Sequence, residues 1–193
     1  SHRIPASLKV VDMEGEARDV VGHWGSALSG TWLPDGERIA FIGSPIDSPA
    51  GTPNNLWIIS QNDESPECRT SDLIYNVGGG LQGDMAVMAK NQRIILSEDG
   101  LNAYVQVQKG GTVHIYRVAT EGQESFIPIT TGKRSCTLLD LVGDELFYSV
   151  ELKNGKKVYK MEVRLADEVV RKHAEFIWKE VEKGHTTVDY NIS

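Results

Sequence analysis

The fold of this chain is indicated by one stretch, Trp32-Leu33-Pro34-Asp35-Gly36-Glu37-Arg38-Ile39-Ala40-Phe41-Ile42, which carries the signals of a β-hairpin. Pro34 fixes φ at the first central position of a turn, and the side chain of Asp35 can hydrogen-bond to nearby backbone. Gly36 suits the position of positive φ that closes a bulged hairpin. The two arms of the stretch are therefore predicted to be antiparallel neighbours.

Two later stretches repeat this layout. Residues 95–105 carry Gly100 in a turn of the same length, and residues 141–148 carry Gly143 in a shorter one. Glycine in such turns supplies the positive φ that other residues adopt only with strain. We predict that Gly36, Gly100 and Gly143 occupy the same place in successive repeats of one unit, the turn of its inner hairpin.

An apolar strand with an aromatic or branched residue follows each hairpin, and one more such strand precedes the first. These strands lie at residues 8–12, 56–60, 115–119 and 158–162. Their spacing brackets the roughly 40 to 50 residues of one four-stranded propeller blade. The sequence therefore predicts an all-β fold, a partial β-propeller of about three incomplete antiparallel blades over residues 1–165, whose first strand belongs to the outer half of a blade.

The last part of the chain has a different period. Val170, Ala174, Ile177 and Val181 are spaced four, three and four residues apart, which predicts an amphipathic helix over residues 167–184. Residues 187–193 alternate like a short strand. Residues 166–193 are thus expected to form a connector or capping element. Because three blades leave open faces and strand edges, we expect this segment, or a further copy of the chain in a homo-oligomer, to cover them.

Composition excludes several classes of function. The 193 residues carry a net charge of −7, and the 20 Lys and Arg residues are scattered, so no nucleic-acid partner is predicted. No window approaches 18 consecutive apolar residues, and residues 1–5 lack the apolar core of a signal peptide, so we predict no membrane contact and a cytoplasmic location. Cys68 and Cys136 fall in different repeat units and are predicted to be reduced thiols.

Two loops are candidates for function on composition alone. Residues 44–54 carry three prolines, none of them expected in a central strand, and read as an insertion that either binds a ligand or is an inert surface loop. Residues 76–84 are rich in glycine but lack the Lys-Ser/Thr pair of a phosphate-binding loop. We predict that they form a crossover between blades, followed by a close-packed inner strand.

The residues of a hydrolytic active site are missing. Acyl transfer by a serine nucleophile typically uses a Gly-x-Ser-x-Gly turn with a histidine base and an orienting acid, and no such pentapeptide occurs. The five histidines are isolated, and no zinc or calcium spacing is present. We therefore assign no catalytic, cofactor-binding or metal-binding residue. Whether the chain belongs to an enzyme is left open by these observations.

The repeat resembles a known family. The hairpin W-L-P-D-G-E-R-I-A-F at 32–41, the strands at 55–59 and 115–118, and the strand end Ile129-Thr130 resemble the propeller repeats of the prolyl oligopeptidase family of serine peptidases, in its acylaminoacyl-peptidase and dipeptidyl-peptidase-like branch. In that family the repeat reads W-S-P-D-G, then I-A-F, a loop, and an L-W or I-Y strand. The resemblance covers roughly residues 8–163, and similar repeats occur in TolB-type propellers.

The resemblance implies a function without catalysis in this chain. Members of the family pair a seven-bladed propeller with an α/β-hydrolase domain that carries the Ser-Asp-His triad and the oxyanion hole, and none of those residues maps here. The chain is then expected to be the propeller portion that gates peptide access to a hydrolase domain absent from it. The alternative is a TolB-like propeller module for protein–protein interaction.

Overall fold

The structure is a computed structural model that describes residues 7–63, 65–78, 93–152 and 158–164. These residues form antiparallel strands and no helix, so the all-β prediction is confirmed and no described helix could cross a membrane. The predicted helix at 167–184 and strand at 187–193 lie outside the described residues, and the division of the chain near residue 165 stays a prediction. The strands are β1 Lys9–Val11, β2 Ala17–Asp19, β3 Gly25–Trp32, β4 Arg38–Pro45, β5 Asn55–Ser60, β6 Glu67–Cys68, β7 Asn76–Val77, β8 Ile94–Leu96, β9 Asn102–Lys109, β10 Thr112–Ala119, β11 Phe126–Pro128, β12 Arg134–Val142, β13 Glu145–Leu152 and β14 Val158–Arg164.

The strands form four sheets in chain order. β1 and β2 make the N-terminal hairpin, and blade 1 has the order β3-β4-β5-β6. Blade 2 has the order β11-β10-β9, with both β7 and β8 paired to the free edge of β9. Blade 3 has the order β12-β13-β14. Each sheet is therefore a meander of up to four antiparallel strands, as the repeat predicts.

The hairpin of blade 1 has the predicted turn. The amide of Leu33 donates to the carbonyl of Arg38 at 2.8 Å, and the amide of Gly36, with φ 70°, donates to the carbonyl of Leu33 at 3.0 Å. Asp35 Oδ1 accepts hydrogen bonds from the amides of Glu37 and Arg38 at 2.8 and 3.0 Å. These bonds, together with the Arg38 guanidinium, lower the pKa of Asp35 to about 2.

The later turns occupy the same place. In blade 2 the amide of Ser97 donates to the carbonyl of Asn102, and the amide of Gly100, with φ 73°, donates to the carbonyl of Ser97, both at 2.9 Å. In blade 3, Gly143 has φ 61° at the first central position of a two-residue turn. All three glycines thus lie between the first and second strands of a blade, which confirms the prediction.

One hydrogen bond identifies the third strand of a unit, because the amide just beyond the end of the fourth strand donates to a carbonyl within the third strand or just before it. The donor and acceptor pairs are Val20 and Leu8, Arg69 and Leu56, and Ile129 and Ile115, each at 2.8 Å. β1 is therefore equivalent to β5 and β10. The N-terminal hairpin is the outer half of a blade, as predicted, and no described strand pairs with the other edge of β1.

The exposure of Trp32 reflects the first sheet, in which no described strand forms an inner half. The side chain of Trp32, at the end of β3, is 42% exposed. A Cβ added at Gly30 would meet Leu8 at 2.5 Å, so this face of β3 points toward the N-terminal hairpin. Trp32 lies two residues further along on the same face, where strands of an inner half would cover it.

Side chains alternate between two neighbouring sheets along the central strands. In β4, Ile39 and Phe41 pack with the N-terminal hairpin, whereas Ala40 and Ile42 pack with blade 2. This is the period of two that a strand buried on both faces requires. Further apolar clusters join blade 1 to blade 2 and blade 2 to blade 3. The sheets are therefore stacked face to face.

The first strands of the blades converge. β8 of blade 2 contacts both β3 of blade 1 and β12 of blade 3. Stacked antiparallel sheets whose first strands meet are arranged as propeller blades around an axis.

The first strand of blade 2 is built from two pieces. Val77 in β7 lies opposite Val107, the amide of Gly78 donates to the carbonyl of Gln106 at 2.8 Å, and Ile94 in β8 lies opposite Val105. The register on β9 continues from Val107 through Gln106 to Val105, so β7 and β8 occupy successive parts of one strand position. Residues 79–84 of the predicted crossover and inner strand lie outside the described residues. The predicted crossover at 76–84 is wrong at its start, because Asn76 and Val77 already belong to the strand.

The proline-rich loop also begins later than predicted. Pro45 is the last residue of β4, a central strand, and lies opposite Gly25 in β3. On its other side β4 pairs with β5 only as far as Gly43 and Asn55. Pro45 has no backbone N–H to donate, and it is tolerated because β4 no longer pairs with β5 at this position.

We predict that Gly100→Ala destabilises the protein more than Gly36→Ala. Both glycines have a φ near 70° in equivalent turns, so each substitution carries a left-handed strain of about 1 kcal/mol. A Cβ at Gly100 would also lie 2.9 Å from Pro34 Cδ, whereas nothing lies within 4 Å at Gly36. The overpacking should add about 1 kcal/mol to the loss in free energy of unfolding, measured in urea. Equal losses for the two variants would show that the turns of blades 1 and 2 do not touch.

Candidate functional site

The described residues hold no metal-binding or thiol-based site. No group of three or more His, Cys, Asp or Glu among them is arranged to bind a metal ion. Cys68 and Cys136 are free, and burial raises the pKa of Cys136 to about 11, so its thiol is protonated and unreactive. His23 is exposed and His114 is buried, while the other three histidines lie outside the described residues.

His114 and Thr130 form the one imidazole–hydroxyl pair that the described structure records. His114 Nδ1 lies 3.2 Å from Thr130 Oγ1, which also accepts a hydrogen bond from the amide of Ile115 at 2.9 Å. Burial lowers the pKa of His114, a hydrogen bond with the backbone of Gly132 opposes this, and the positive charge of Arg134 lowers the pKa further. The imidazole is therefore neutral at physiological pH and ties strand β10 to the connection that follows β11.

The Thr130 hydroxyl is a structural feature of the repeat rather than a nucleophile. In blade 1, Thr70 Oγ1 accepts a hydrogen bond from the amide of Leu56 at 3.0 Å, and Leu56 is the residue equivalent to Ile115. Both threonines are buried, and each accepts a hydrogen bond from an amide within a third strand. A hydroxyl held in this way in two successive blades stabilises the strand end.

Arg69 is the main polar residue that the sequence analysis missed. Its side chain is 1% exposed, and its guanidinium donates to the carbonyls of Ala119, Glu121 and Gly122 at 2.9 to 3.1 Å and to Glu67 at 2.5 Å. The three carbonyls lie at the end of β10 and in the turn that follows it, so Arg69 links blade 1 to blade 2. The sequence offers one signal for Arg69, which is its position in the repeat: the equivalent residue of blade 2 is the apolar Ile129.

An open cleft of about 510 Å³ lies between the hairpin turns of blades 2 and 3. Glu98, Asp99 and Asp144 line it together with Arg117, and the hydrogen bond from Ser97 Oγ lowers the pKa of Asp99. We call it the acidic cleft. Its residues include Gly143 of a predicted turn, but the sequence did not predict that the two turns would face each other.

A second cleft, of about 430 Å³, lies at the other end of β9. We call it the basic cleft, since Lys109 and Lys133 are the charged residues that line it. Its remaining lining residues are Gly110, Thr112, His114, Tyr116, Pro128, Thr130, Thr131 and Gly132. The cleft brings together the turn between β9 and β10 and the connection from β11 to β12. Neither cleft contains a nucleophile paired with a base and an acid among its described lining residues.

Comparison with known proteins supports the fold. No family model matches the chain. A prolyl endopeptidase is similar over 83% of this chain and 24% of its own, with 16% identity and a TM-score of 0.57. The β-propeller domain of the trilobed protease from Pyrococcus furiosus is similar over 79% of this chain and 43% of its own, with 18% identity and a TM-score of 0.50. TolB from Acinetobacter baumannii is similar over 86% of this chain and 39% of its own, with 17% identity and a TM-score of 0.53.

These likenesses confirm, at the level of fold, the resemblance to the propeller repeats of the prolyl oligopeptidase family. The chain spans less than half the length of each of these structures. Peptidases and TolB share the fold equally, so the architecture alone does not distinguish a peptidase propeller from an interaction module.

We predict that Arg69→Met lowers the free energy of unfolding by about 3 kcal/mol, because a buried guanidinium loses its hydrogen bonds to several carbonyls at once. Glu67→Gln is the matched control. The Glu67 side chain is 67% exposed, so removing its charge should cost no more than about 1 kcal/mol. Urea unfolding of both variants measures the difference. Similar losses would mean that the contact between blades does not depend on the guanidinium.

A second prediction concerns pH. Because folding lowers the pKa of His114 below its ordinary value of 6.5, the unfolded chain takes up more protons as the pH falls through that value, and stability declines. In His114→Gln this contribution is absent. The stability advantage of the unmodified protein over the variant should therefore shrink below about pH 6.5. The exposed His23→Gln variant controls for the loss of an imidazole. An advantage of His114 that stays constant from pH 8 to pH 5, a range of about three units around that pKa, would contradict the assignment.

Proposed function

We propose that this chain is the non-catalytic propeller portion of a serine peptidase similar to acylaminoacyl-peptidase, and that it restricts the access of peptides to a hydrolase domain outside the chain. The observation that carries the proposal is the meeting of β3, β8 and β12 at the inner side of the blades. Blades arranged around an axis surround a central channel. A channel of this kind admits an extended peptide and excludes a folded protein.

The chemistry of the described residues is consistent with this role. The His114–Thr130 pair is committed to the backbone of blade 2, so a substrate would find no activated nucleophile there. The net charge of −7 favours peptide over nucleic acid as the partner. Under the same proposal the protein is cytoplasmic. That copies of this chain associate as a homo-oligomer stays a prediction.

The second candidate is a TolB-like module that binds other proteins and has no hydrolase partner. The similarity of the chain to TolB over most of its length favours this candidate as much as the peptidase likeness favours the first. The two differ in whether a reactive serine occurs elsewhere in the same polypeptide.

We predict that the chain alone hydrolyses neither acyl-peptides nor aryl esters, because it lacks a nucleophile turn and its oxyanion hole. The full-length protein that carries this segment should be labelled by a fluorophosphonate probe at one serine outside residues 1–193. It should also cleave a short acylated peptide and leave the same sequence intact within a folded protein. Failure of the full-length protein to react with the probe would favour the TolB-like module, and labelled turnover by the chain alone would overturn both candidates.

A further inference from the structure

The basic cleft has a fixed geometry on two sides. One wall is the tight turn of Lys109 and Gly110, and the ammonium of Lys109 is held 4.9 Å from the centre of the Tyr75 ring. A cation over an aromatic face is attracted by the ring quadrupole, so the ammonium is positioned before any ligand arrives. The opposite wall is the exposed segment from Thr131 to Lys133.

The electrostatic character of the cleft contrasts with that of the whole chain. Its described lining residues include two lysines and no carboxylate, in a protein of net charge −7. The Arg134 guanidinium adds positive charge next to Gly132 in the cleft wall, since a Cβ added at Gly132 would lie 2.9 Å from a terminal nitrogen of Arg134. Glu151 lies opposite Ser135 on the neighbouring strand and does not line the cleft. The field of Arg134 and Lys109 reaches the floor, where both act to lower the pKa of His114.

The floor offers hydroxyl groups. Burial raises the pKa of Tyr116, which keeps its phenol protonated and able to donate a hydrogen bond. Thr112 Oγ1 donates to the carbonyl of Lys109 at 2.7 Å, which fixes the turn that carries the lysine. Two ammonium groups beside the Tyr116 hydroxyl suit a negatively charged oxygen group that needs no planar, bidentate partner.

We propose that the basic cleft is a binding site for an oxyanion group carried by a peptide, either a carboxylate or a phosphate, held by Lys109 and Lys133. This site is independent of the proposed peptidase role. It lies at the end of β9 that is away from the turn at Gly100, and binding there involves no bond cleavage. Attraction between partly exposed charges weakens with salt, so binding should be stronger at low ionic strength.

The test is an NMR titration of the whole chain with the acidic peptide acetyl-Glu-Glu-Glu-amide. Binding is monitored through the amide resonances of Gly110 and Gly132. The neutral peptide acetyl-Gln-Gln-Gln-amide serves as the ligand control. Lys133→Met should weaken binding of the acidic peptide by about fivefold, because it removes one exposed charge pair. Lys9→Met, which removes the same charge from the exposed surface of β1, is the matched control and should leave the affinity unchanged.

Inorganic phosphate, added as a competitor, distinguishes the two sources of the oxyanion. Displacement of the acidic peptide supports a site that accepts phosphate groups, and failure to displace it supports a site for carboxylates. Equal weakening by Lys133→Met and Lys9→Met would overturn the proposal, because the attraction would then reflect overall charge. Equal binding of the glutamate and glutamine peptides, or shifts confined to other parts of the chain, would overturn it as well.

Discussion

The structure depends on one constraint, which is that the central strands of blades 1 and 2 bury both of their faces. In β4, Ile39 and Phe41 point to one neighbour while Ala40 and Ile42 point to the other. Burial of each larger side chain contributes about 1.5 to 3 kcal/mol, so a blade obtains its stability from the sheets on either side of it. The constraint also explains where apolar surface remains. Trp32 is exposed on the face of β3 where the N-terminal hairpin supplies only outer strands.

Buried polar groups serve the same arrangement, because stacking sheets removes strand ends and turns from water. Thr70 and Thr130 each accept a hydrogen bond from a backbone amide of a third strand, and Gln106 Oε1 accepts one from the amide of Leu138 in blade 3 at 2.8 Å. Arg69 satisfies carbonyls of the next blade. These contacts hold successive blades in a fixed relation. They also leave the loops at both ends of the strands free to form clefts.

Local chemistry explains which features the sequence predicted. The turns at Gly36 and Gly100 and the third strands follow from the backbone preferences and alternation of a few adjacent residues, and the structure confirms them. Features that depend on distant residues were missed. β7 and β8 join into one strand only because both pair with β9, and Pro45 is acceptable only because β5 stops pairing before it. No site residue was assigned from sequence, since the lysines of the basic cleft belong to separate turns that only the blade brings together.

The account rests on the claim that one repeated unit builds the N-terminal hairpin, blade 1 and blade 2. If this is correct, the hydrogen bonds that define a third strand are equivalent in all three units. Scalar couplings across hydrogen bonds, measured by NMR in the whole chain, test this directly. The account predicts couplings from the amides of Val20, Arg69 and Ile129 to the carbonyl carbons of Leu8, Leu56 and Ile115, respectively. A coupling from any of these amides to a carbonyl in a different strand would contradict the repeat and the propeller arrangement built on it.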